Sequence, residues 1–253
     1  MKLSGHSALV TGGGSGLGAA TARLLADKGM RVGIVDIDAS AAERVSDEID
    51  GAHAACDVAD ADGATEALAR LEWAIGTPRL LVHCAGIGTA GRIVGRDGPM
   101  DLAAFERVVR VNLIGTFNMM RLVAAAMSTL DPLEDNERGV IVTTASVAAF
   151  EGQLGQAAYA ASKGGIASMT LPAAREFARF GIRVASIAPG LFETPLLGEL
   201  PDEARQGLAS AIPYPSRLGR PEEFAALAAA IAQNSYINGE VMRLDGALRM
   251  APR

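Results

Sequence analysis

Thr11-Gly12-Gly13-Gly14-Ser15-Gly16-Leu17-Gly18 stands between an apolar run, Ser7 to Thr11, and a helical pattern that opens at Gly16. An apolar run that stops at clustered glycines and resumes with helical periodicity reads as a strand-turn-helix unit. Glycines there allow a tight turn and let the backbone approach a pyrophosphate at the helix N-terminus. Such a turn can also serve packing alone, so its weight depends on the residues downstream. The next apolar run ends Gly33-Ile34-Val35-Asp36, with Asp36 18 residues after Gly18. A carboxylate at that place accepts hydrogen bonds from a ribose diol and repels a 2′-phosphate. No Arg lies in the glycine turn and Ile37 follows Asp36, which favours NAD over NADP. The rival reading makes Asp36 or Asp38 a helix cap.

Working outward, the alternation continues to the end of the chain. Strands are read at Ser7 to Thr11, Arg31 to Asp36, Ala52 to Asp57, Leu80 to His83, Gly139 to Thr144, Arg183 to Ala188 and Glu240 to Leu244. Helical patterns fill Gly16 to Lys28, Ala39 to Ile49, Ala61 to Ile75, Leu102 to Leu130, Ala157 to Phe180 and Pro221 to Gln233. This order predicts an α/β, Rossmann-like, doubly wound sheet of about seven parallel strands with helices on both faces. No linker or repeat interrupts it, so residues 1–253 are read as one domain. Two segments break the rhythm: a Gly-rich loop at 86–100, and residues 190–217 with Pro195, Pro201, Pro213 and Pro215. Long segments after strand C-termini are where such sheets place ligands, and the second is read as a substrate lid. Its Leu191, Phe192, Leu196, Leu197 and Leu200 offer apolar contact. The competing reading is a structural excursion covering the sheet edge.

Composition narrows the classes. Apolar residues are 49% and charged residues 21% of the chain, enough for a filled core and against disorder. No uninterrupted run of roughly 18 apolar residues occurs, so no membrane span is expected. Met1-Lys2-Leu3-Ser4-Gly5-His6 leads into the first strand without the apolar stretch of a signal peptide or an Arg-rich transit helix. Cys56 and Cys84 are too few for a disulfide framework or a zinc site, and no metal is expected. Both are read as buried, reduced thiols in a cytosol-like compartment. The net charge of −6 makes no case for nucleic acid. It makes none for an acyl-CoA either, so any phosphate recognition must be local.

Ser146 lies in Thr144-Ala145-Ser146, and Tyr159 and Lys163 in Ala158-Tyr159-Ala160-Ala161-Ser162-Lys163. Residues four apart share one helix face. An ammonium beside a phenol favours the phenolate and draws a Tyr pKa of about 10 toward neutrality. Such a tyrosine can trade a proton with an alcohol or carbonyl oxygen. Of 23 cationic residues only Lys2, Lys28 and Lys163 are lysines. A compact ammonium tunes a neighbour in ways a planar guanidinium cannot. The plain alternative is a surface helix that carries both residues by chance. Asp57-Val58 ends the third strand, where an adenine ring would lie, and Cys84-Ala85-Gly86 follows the fourth. A lone His at a strand end is more often a satisfied core residue than a catalyst, so His83 is assigned no chemistry.

Together these features resemble the short-chain dehydrogenase/reductase superfamily over essentially the whole chain. The glycine motif, Cys84-Ala85-Gly86, Asn112 in a Val-Asn-Leu helix, Ser146, Tyr159, Lys163 and Pro189-Gly190 match in order and spacing. The resemblance implies that Tyr159 is the general acid/base and that Lys163 holds the nicotinamide ribose and lowers the Tyr159 pKa. It implies that Ser146 steadies the substrate oxygen and that Asn112 supports a proton-relaying water chain. His83 departs from the pattern, which has Asn there as a strand tether. A closer likeness is to the type II, short-chain 3-hydroxyacyl-CoA dehydrogenases, a group that includes a multifunctional mitochondrial hydroxysteroid dehydrogenase. It rests on Asn112-Leu113-Ile114-Gly115-Thr116-Phe117-Asn118, on Ser146-Val147-Ala148-Ala149-Phe150-Glu151-Gly152-Gln153, and on Pro189-Gly190-Leu191-Phe192-Glu193-Thr194-Pro195. Arg217-Leu218-Gly219, Asn238-Gly239-Glu240 and Arg243-Leu244-Asp245-Gly246-Ala247 complete it.

That likeness implies NAD-dependent oxidation of a (3S)-3-hydroxyacyl-CoA to the 3-ketoacyl-CoA in fatty acid metabolism. It implies a homotetramer, cytoplasmic or, in a eukaryote, in the mitochondrial matrix. The implied NAD site comprises Gly12, Ser15, Gly16, Leu17, Gly18, Asp36, Asp57, Val58, Cys84, Ala85, Gly86, Pro189, Phe192 and Thr194 with Tyr159 and Lys163. Ser146 and Tyr159 would contact substrate. A hydroxysteroid or other secondary alcohol is the alternative substrate, and a non-catalytic scaffold the remote one. Helices at 102–130 and 157–180 are apolar all round and need burial in the core or against a partner. The C-terminal Leu248 to Arg253 is expected to reach a neighbouring subunit.

Overall fold

Apolar runs form strands and the periodic stretches between them form helices. The computed structural model describes residues 1–96, 98–194 and 202–252. β1 (Ser7–Thr11), α1 (Gly16–Asp27), β2 (Arg31–Asp36), α2 (Ala39–Glu48), β3 (Ala52–Ala55), α3 (Ala61–Ile75) and β4 (Leu80–His83) make the first half. A hairpin of β5 (Val94–Gly95) and β6 (Gly98–Pro99) comes next, then α4 (Leu102–Val109), a π-helical turn at Arg110–Ile114, and α5 (Gly115–Ser128). β7 (Gly139–Thr144), α6 (Ala157–Phe177), β8 (Ile182–Pro189), α7 (Asp202–Ser210), α8 (Pro221–Gln233) and β9 (Val241–Leu244) complete the chain.

Seven strands form one sheet in the order β3-β2-β1-β4-β7-β8-β9. All its pairings are parallel. Every residue of β1, β4, β7 and β8 is buried, as expected for strands covered on both faces. Alternation sorts the side chains between two layers. Ala8 and Val10 pack with Leu25, Val45 and Phe224 beneath α1, α2 and α8. Leu9 faces the other way, with Leu71, Met119 and Met127 beneath α3 and α5. The strand order reverses between β1 and β4, which opens a crevice at their C-terminal ends.

Local chemistry sets the boundaries. Asp38, Asp60 and Asp101 cap α2, α3 and α4 by accepting backbone N–H bonds. Asp38 is thus the cap that the sequence left open between it and Asp36. β3 stops short of the expected Asp57 because the Asp57 carboxylate accepts from the Ala59 N–H at 2.9 Å and turns the chain. The expected single helix over 102–130 is divided by the π-helical turn that carries Asn112. Two short elements lacked a clear periodic signal: the β5–β6 hairpin in the Gly-rich loop, and α7 in the lid segment.

Leu102–Ser128 runs helically for 27 residues with a mean hydropathy of 1.2 over its most apolar window, long and apolar enough to cross a membrane. Half of that window is buried, and Met119, Met120, Val123 and Met127 pack into the sheet. It is therefore a core helix whose apolar face serves this fold. The C-terminal segment packs along the loop after Ser146 of its own chain. The Leu154 N–H donates to the Pro252 carbonyl at 3.1 Å, and Gln153 Nε2 to the Ala251 carbonyl at 2.9 Å.

Candidate active site

The glycine turn forms one wall of the crevice. Gly12 has φ +63, and a Cβ there would lie 2.7 Å from the Ala85 nitrogen. A Cβ on Gly18 would lie 2.0 Å from the Gly12 carbonyl oxygen, so only glycine lets α1 pack this close to β1. The Gly14 N–H donates to Asp36 Oδ2 at 2.9 Å, and the Asp38 N–H to Asp36 Oδ1 at 3.1 Å. These bonds fix the Asp36 carboxylate at the end of β2, facing the turn. The spacing argument did not single out Gly14, which orients that carboxylate.

The crevice has a volume of about 1030 Å³. Gly12, Ser15, Gly16, Leu17, Gly18 and Asp36 line its first end, and Asp57, Val58, Cys84, Ala85 and Gly86 its floor. Ser146, Tyr159, Lys163, Pro189, Phe192 and Thr194 line the far end. A glycine cradle at a helix N-terminus and a fixed carboxylate across the switch point suit the pyrophosphate and ribose of a dinucleotide. Asn112 does not line the crevice; it is fully buried behind it. Gln156, Arg107, Arg110 and Met250 also line the crevice and were missed from sequence. Gln156 lies three residues before Tyr159 and was legible in principle; Met250 comes from the chain terminus, and no spacing rule reaches it. Among the lid residues, Leu196, Leu197 and Leu200 lie outside the described residues.

Ser146 ends the loop after β7, where its Oγ accepts from the Ala148 N–H at 3.1 Å. The β7 strand and α6 bring Ser146, Tyr159 and Lys163 to one side. The Lys163 Nζ lies 5.8 Å from the centre of the Tyr159 ring. It donates to the Thr144 carbonyl at 2.7 Å, a partner that the side-chain motifs do not show. Lys163 is 4% exposed. Burial, the dominant influence, lowers its pKa to about 8. Burial also raises the Tyr159 pKa, against a smaller lowering by a hydrogen bond to Ser146. This corrects the expectation of a phenol drawn toward neutrality. Removal from water outweighs the Ser146 hydrogen bond, and the Lys163 ammonium, 5.8 Å from the ring centre, does not reverse it.

Asn112 works as a brace. Its Oδ1 accepts from the Ile87 N–H at 2.8 Å, and its Nδ2 donates to the Ile87 carbonyl at 2.9 Å and to Ser162 Oγ at 3.0 Å. Ser162 in turn donates to the Tyr159 carbonyl at 2.8 Å. Asn112 therefore ties the loop after β4 to the helix that carries the tyrosine. His83 tethers β4 to β1 through Nδ1 and Thr11 Oγ1, 2.8 Å apart. Burial, with a smaller contribution from Lys163, pushes its pKa down to about 3, so it stays neutral. Cys56 is buried as expected. Cys84 is half-buried and, like Cys56, lines the crevice, and loss of hydration pushes its thiol up to about 12.

Known proteins share this architecture and site-bearing sequence. The family model described as short chain dehydrogenase matches residues 6–205. The 3-hydroxyacyl-CoA dehydrogenase type-2 of Bos taurus is 50% identical over 99% of this chain and 98% of its own. The human protein of the same name is 48% identical, with the same coverage. A crystal structure of 3-hydroxyacyl-CoA dehydrogenase type-2 from Mycobacterium avium has a TM-score of 0.94 at 44% identity, over 98% of this chain and 97% of its own. With a matching family model over most of its length and the doubly wound sheet those relatives imply, the chain belongs to the short-chain dehydrogenase family of oxidoreductase enzymes.

Proposed function

We propose that the protein is an NAD-dependent dehydrogenase that interconverts a (3S)-3-hydroxyacyl-CoA and the 3-ketoacyl-CoA. The observation that carries the reading is the meeting of Ser146, Tyr159 and Lys163 in one crevice whose other end holds Asp36. Gly12, Ser15, Gly16, Leu17 and Gly18 would hold the pyrophosphate, and Asp36 the adenosine ribose. The carboxylate supports NAD over NADP, because a 2′-phosphate would meet its charge. When bound, the nicotinamide exchanges a hydride with the carbon that bears the oxygen.

Tyr159 carries the proton. As the phenol it is the acid that ketone reduction needs at the substrate oxygen. In the oxidation direction the phenolate takes the hydroxyl proton. Ser146 Oγ donates to the substrate oxygen and stabilises charge as it develops. Lys163 supports the phenolate through its ammonium, and Asn112 holds the Tyr159 helix and supports the proton-relaying water chain. Acid/base catalysis of this kind contributes roughly 10²–10⁴-fold.

The acyl-CoA reading is supported by the relatives' names and by an apolar cluster beside the catalytic end, Leu191, Leu208, Ile212, Leu218 and Leu248. That cluster accepts a steroid equally well, which makes a hydroxysteroid the alternative. Leu102, Ile114, Phe117 and Leu171 are exposed apolar side chains on α4, the π-helical turn, α5 and α6, and support assembly as a homotetramer. The free cysteines support a cytosol-like compartment, the mitochondrial matrix in a eukaryote.

The test is steady-state kinetics with acetoacetyl-CoA and a steroid ketone, each with NADH and NADPH. We expect acetoacetyl-CoA with NADH to give the highest kcat/KM, and Tyr159→Phe to abolish turnover while NADH still binds. A steroid preferred over every thioester replaces the substrate reading. Full activity of Tyr159→Phe ends the mechanism.

A further inference from the structure

The C-terminal segment reaches the crevice from a part of the chain remote from its motifs. Residues 245–252 lie over the turn after Ser146, and Glu151 is their anchor. Its carboxylate accepts from Arg243 Nη1 at 2.9 Å and Nη2 at 3.2 Å. It also accepts from the Met250 N–H at 3.0 Å. Arg243 reaches onward to Asp245 Oδ2 at 2.7 Å and to the Leu248 carbonyl at 2.9 Å. The hydrogen bonds from Arg243 hold the Glu151 carboxyl below its ordinary range, so the anchor is ionised. The bonds that Gln153 and Leu154 donate to the Ala251 and Pro252 carbonyls fasten the rest of the strap.

The strap sets Met250 in the crevice wall, which Gln156 and Leu191 also line. Met250 packs against Ile212, Leu218 and Leu248, the same cluster that Leu191 and Leu208 touch. Pro252, two residues on, lines a second cavity of about 510 Å³ with Ile93, Leu154 and Ala160. Gln156 lines both cavities. The two cavities thus adjoin at Gln156, and one strap supplies Met250 to the wall of the first and Pro252 to the wall of the second.

We infer that Met250 is the specificity-determining residue for the acyl tail beyond the reacting carbon, and that Glu151 is the positioning residue that sets it. The inference rests on the proposed acyl-thioester activity. Tails longer than four carbons pass Met250 and lodge in the side cavity. Methionine suits such a wall, because its unbranched thioether adapts to the group that passes. Arg92 also lines the side cavity, which makes the CoA handle the competing occupant.

The experiment measures kcat/KM for 3-ketoacyl thioesters of four, eight and twelve carbons, each carried on CoA and on N-acetylcysteamine. Far-ultraviolet circular dichroism confirms that each variant is folded. Met250→Ala should raise the ratio of eight-carbon to four-carbon kcat/KM about 10-fold, and Met250→Trp should lower it. Glu151→Gln should move the ratio in the same direction as Met250→Ala. The double variant should add nothing to Met250→Ala, since both act through one wall. The ratio should move alike on both handles. A ratio unmoved by both Met250 variants, or moved only on CoA, overturns the inference while four-carbon turnover by the unaltered protein upholds the function. An equal fall on all substrates in Glu151→Gln makes that residue merely structural and overturns its positioning role. No turnover of any thioester by the unaltered protein overturns both readings together.

Discussion

Two buried cations lie at opposite edges of the sheet, and the chain treats them in opposite ways. Arg183, at the N-terminal edge of β8, is 8% exposed. Its Nε donates to Glu137 Oε1 at 2.7 Å, and its Nη groups donate to the carbonyls of Ile231, Ala232 and Ile237 at 2.7–3.0 Å. The Met1 ammonium also meets Glu137, at 2.9 Å. Lys163, near the C-terminal edge of β7, is 4% exposed and has one carbonyl for a partner and, among the described residues, no carboxylate. A buried charge with a full set of partners holds structure together. A buried charge left short of partners is held ready for something that binds. The difference separates the edge of the sheet that supports the fold from the edge that opens on the crevice.

The comparison breaks most directly by replacing each cation with methionine. Arg183→Met leaves Glu137 buried without its guanidinium and should lower the unfolding free energy by about 3–5 kcal/mol. Protein that remains folded should keep its catalytic rate. Lys163→Met should do the reverse, with kcat reduced roughly 10²-fold or more and no loss of stability. Urea unfolding and initial rates on the same samples check both. Equal stability losses in the two variants would remove the distinction.

A pH series sharpens it. Lys163 holds its proton with a pKa of about 8 when folded, against an ordinary value of 10.5. Between those values the unfolded chain binds more protons than the folded one, so stability rises with pH there. Charging Lys163 therefore works against folding by about 3 kcal/mol at neutral pH. Without added cofactor, Lys163→Met should exceed the unaltered protein in stability by that order below pH 8. The gap should close as pH climbs toward 10.5. A gap constant with pH would mean that the lysine is not held at a lowered pKa.

At the other end of the crevice, Asp36 sharpens the comparison on a smaller scale. Asp36→Ala removes the proposed ribose acceptor and the charge that would oppose a 2′-phosphate. The ratio of kcat/KM for NAD over NADP should fall about 10- to 100-fold, in line with loss of hydrogen bonds to a charged group. An unchanged ratio would end the cofactor reading.

The sequence exposes these two edges unequally. The crevice edge is legible because its residues sit at fixed short spacings: the glycines before α1, Asp36 at the end of β2, and Tyr159 and Lys163 one helical turn apart. Six of the seven strands were placed to within a residue or so, since fully buried parallel strands read as continuous apolar runs. What stayed hidden depends on distance along the chain. The Thr144 carbonyl that receives Lys163 has no side-chain signature. The Glu137–Arg183 pair spans 46 residues, and Met250 reaches Glu151 across 99. The direction of the Tyr159 shift was also hidden, because it depends on how much water each group loses. The π-helical turn at Asn112 arises from contacts with Ile87 and Ser162 that local propensity does not encode.

His83 offers the smallest and finest test. It stands at the C-terminal edge, yet it behaves like a structural residue: Nδ1 meets Thr11, and its carbonyl accepts from Thr144 Oγ1 at 2.7 Å. Its Nε2 is the one buried side-chain polar atom among the described residues that has no hydrogen-bond partner. An unpaired buried polar atom costs about 1–3 kcal/mol. Asparagine, which the resemblance leads one to expect here, is shorter and can keep the Thr11 bond, but its amide also buries a second polar atom. It leaves a small cavity as well. His83→Asn should therefore change the unfolding free energy by no more than about 1 kcal/mol and leave kcat within a factor of two or three. A kcat loss approaching that of Lys163→Met would place His83 in the chemistry. The boundary between structural and reactive buried groups would then have to be drawn through β4 itself.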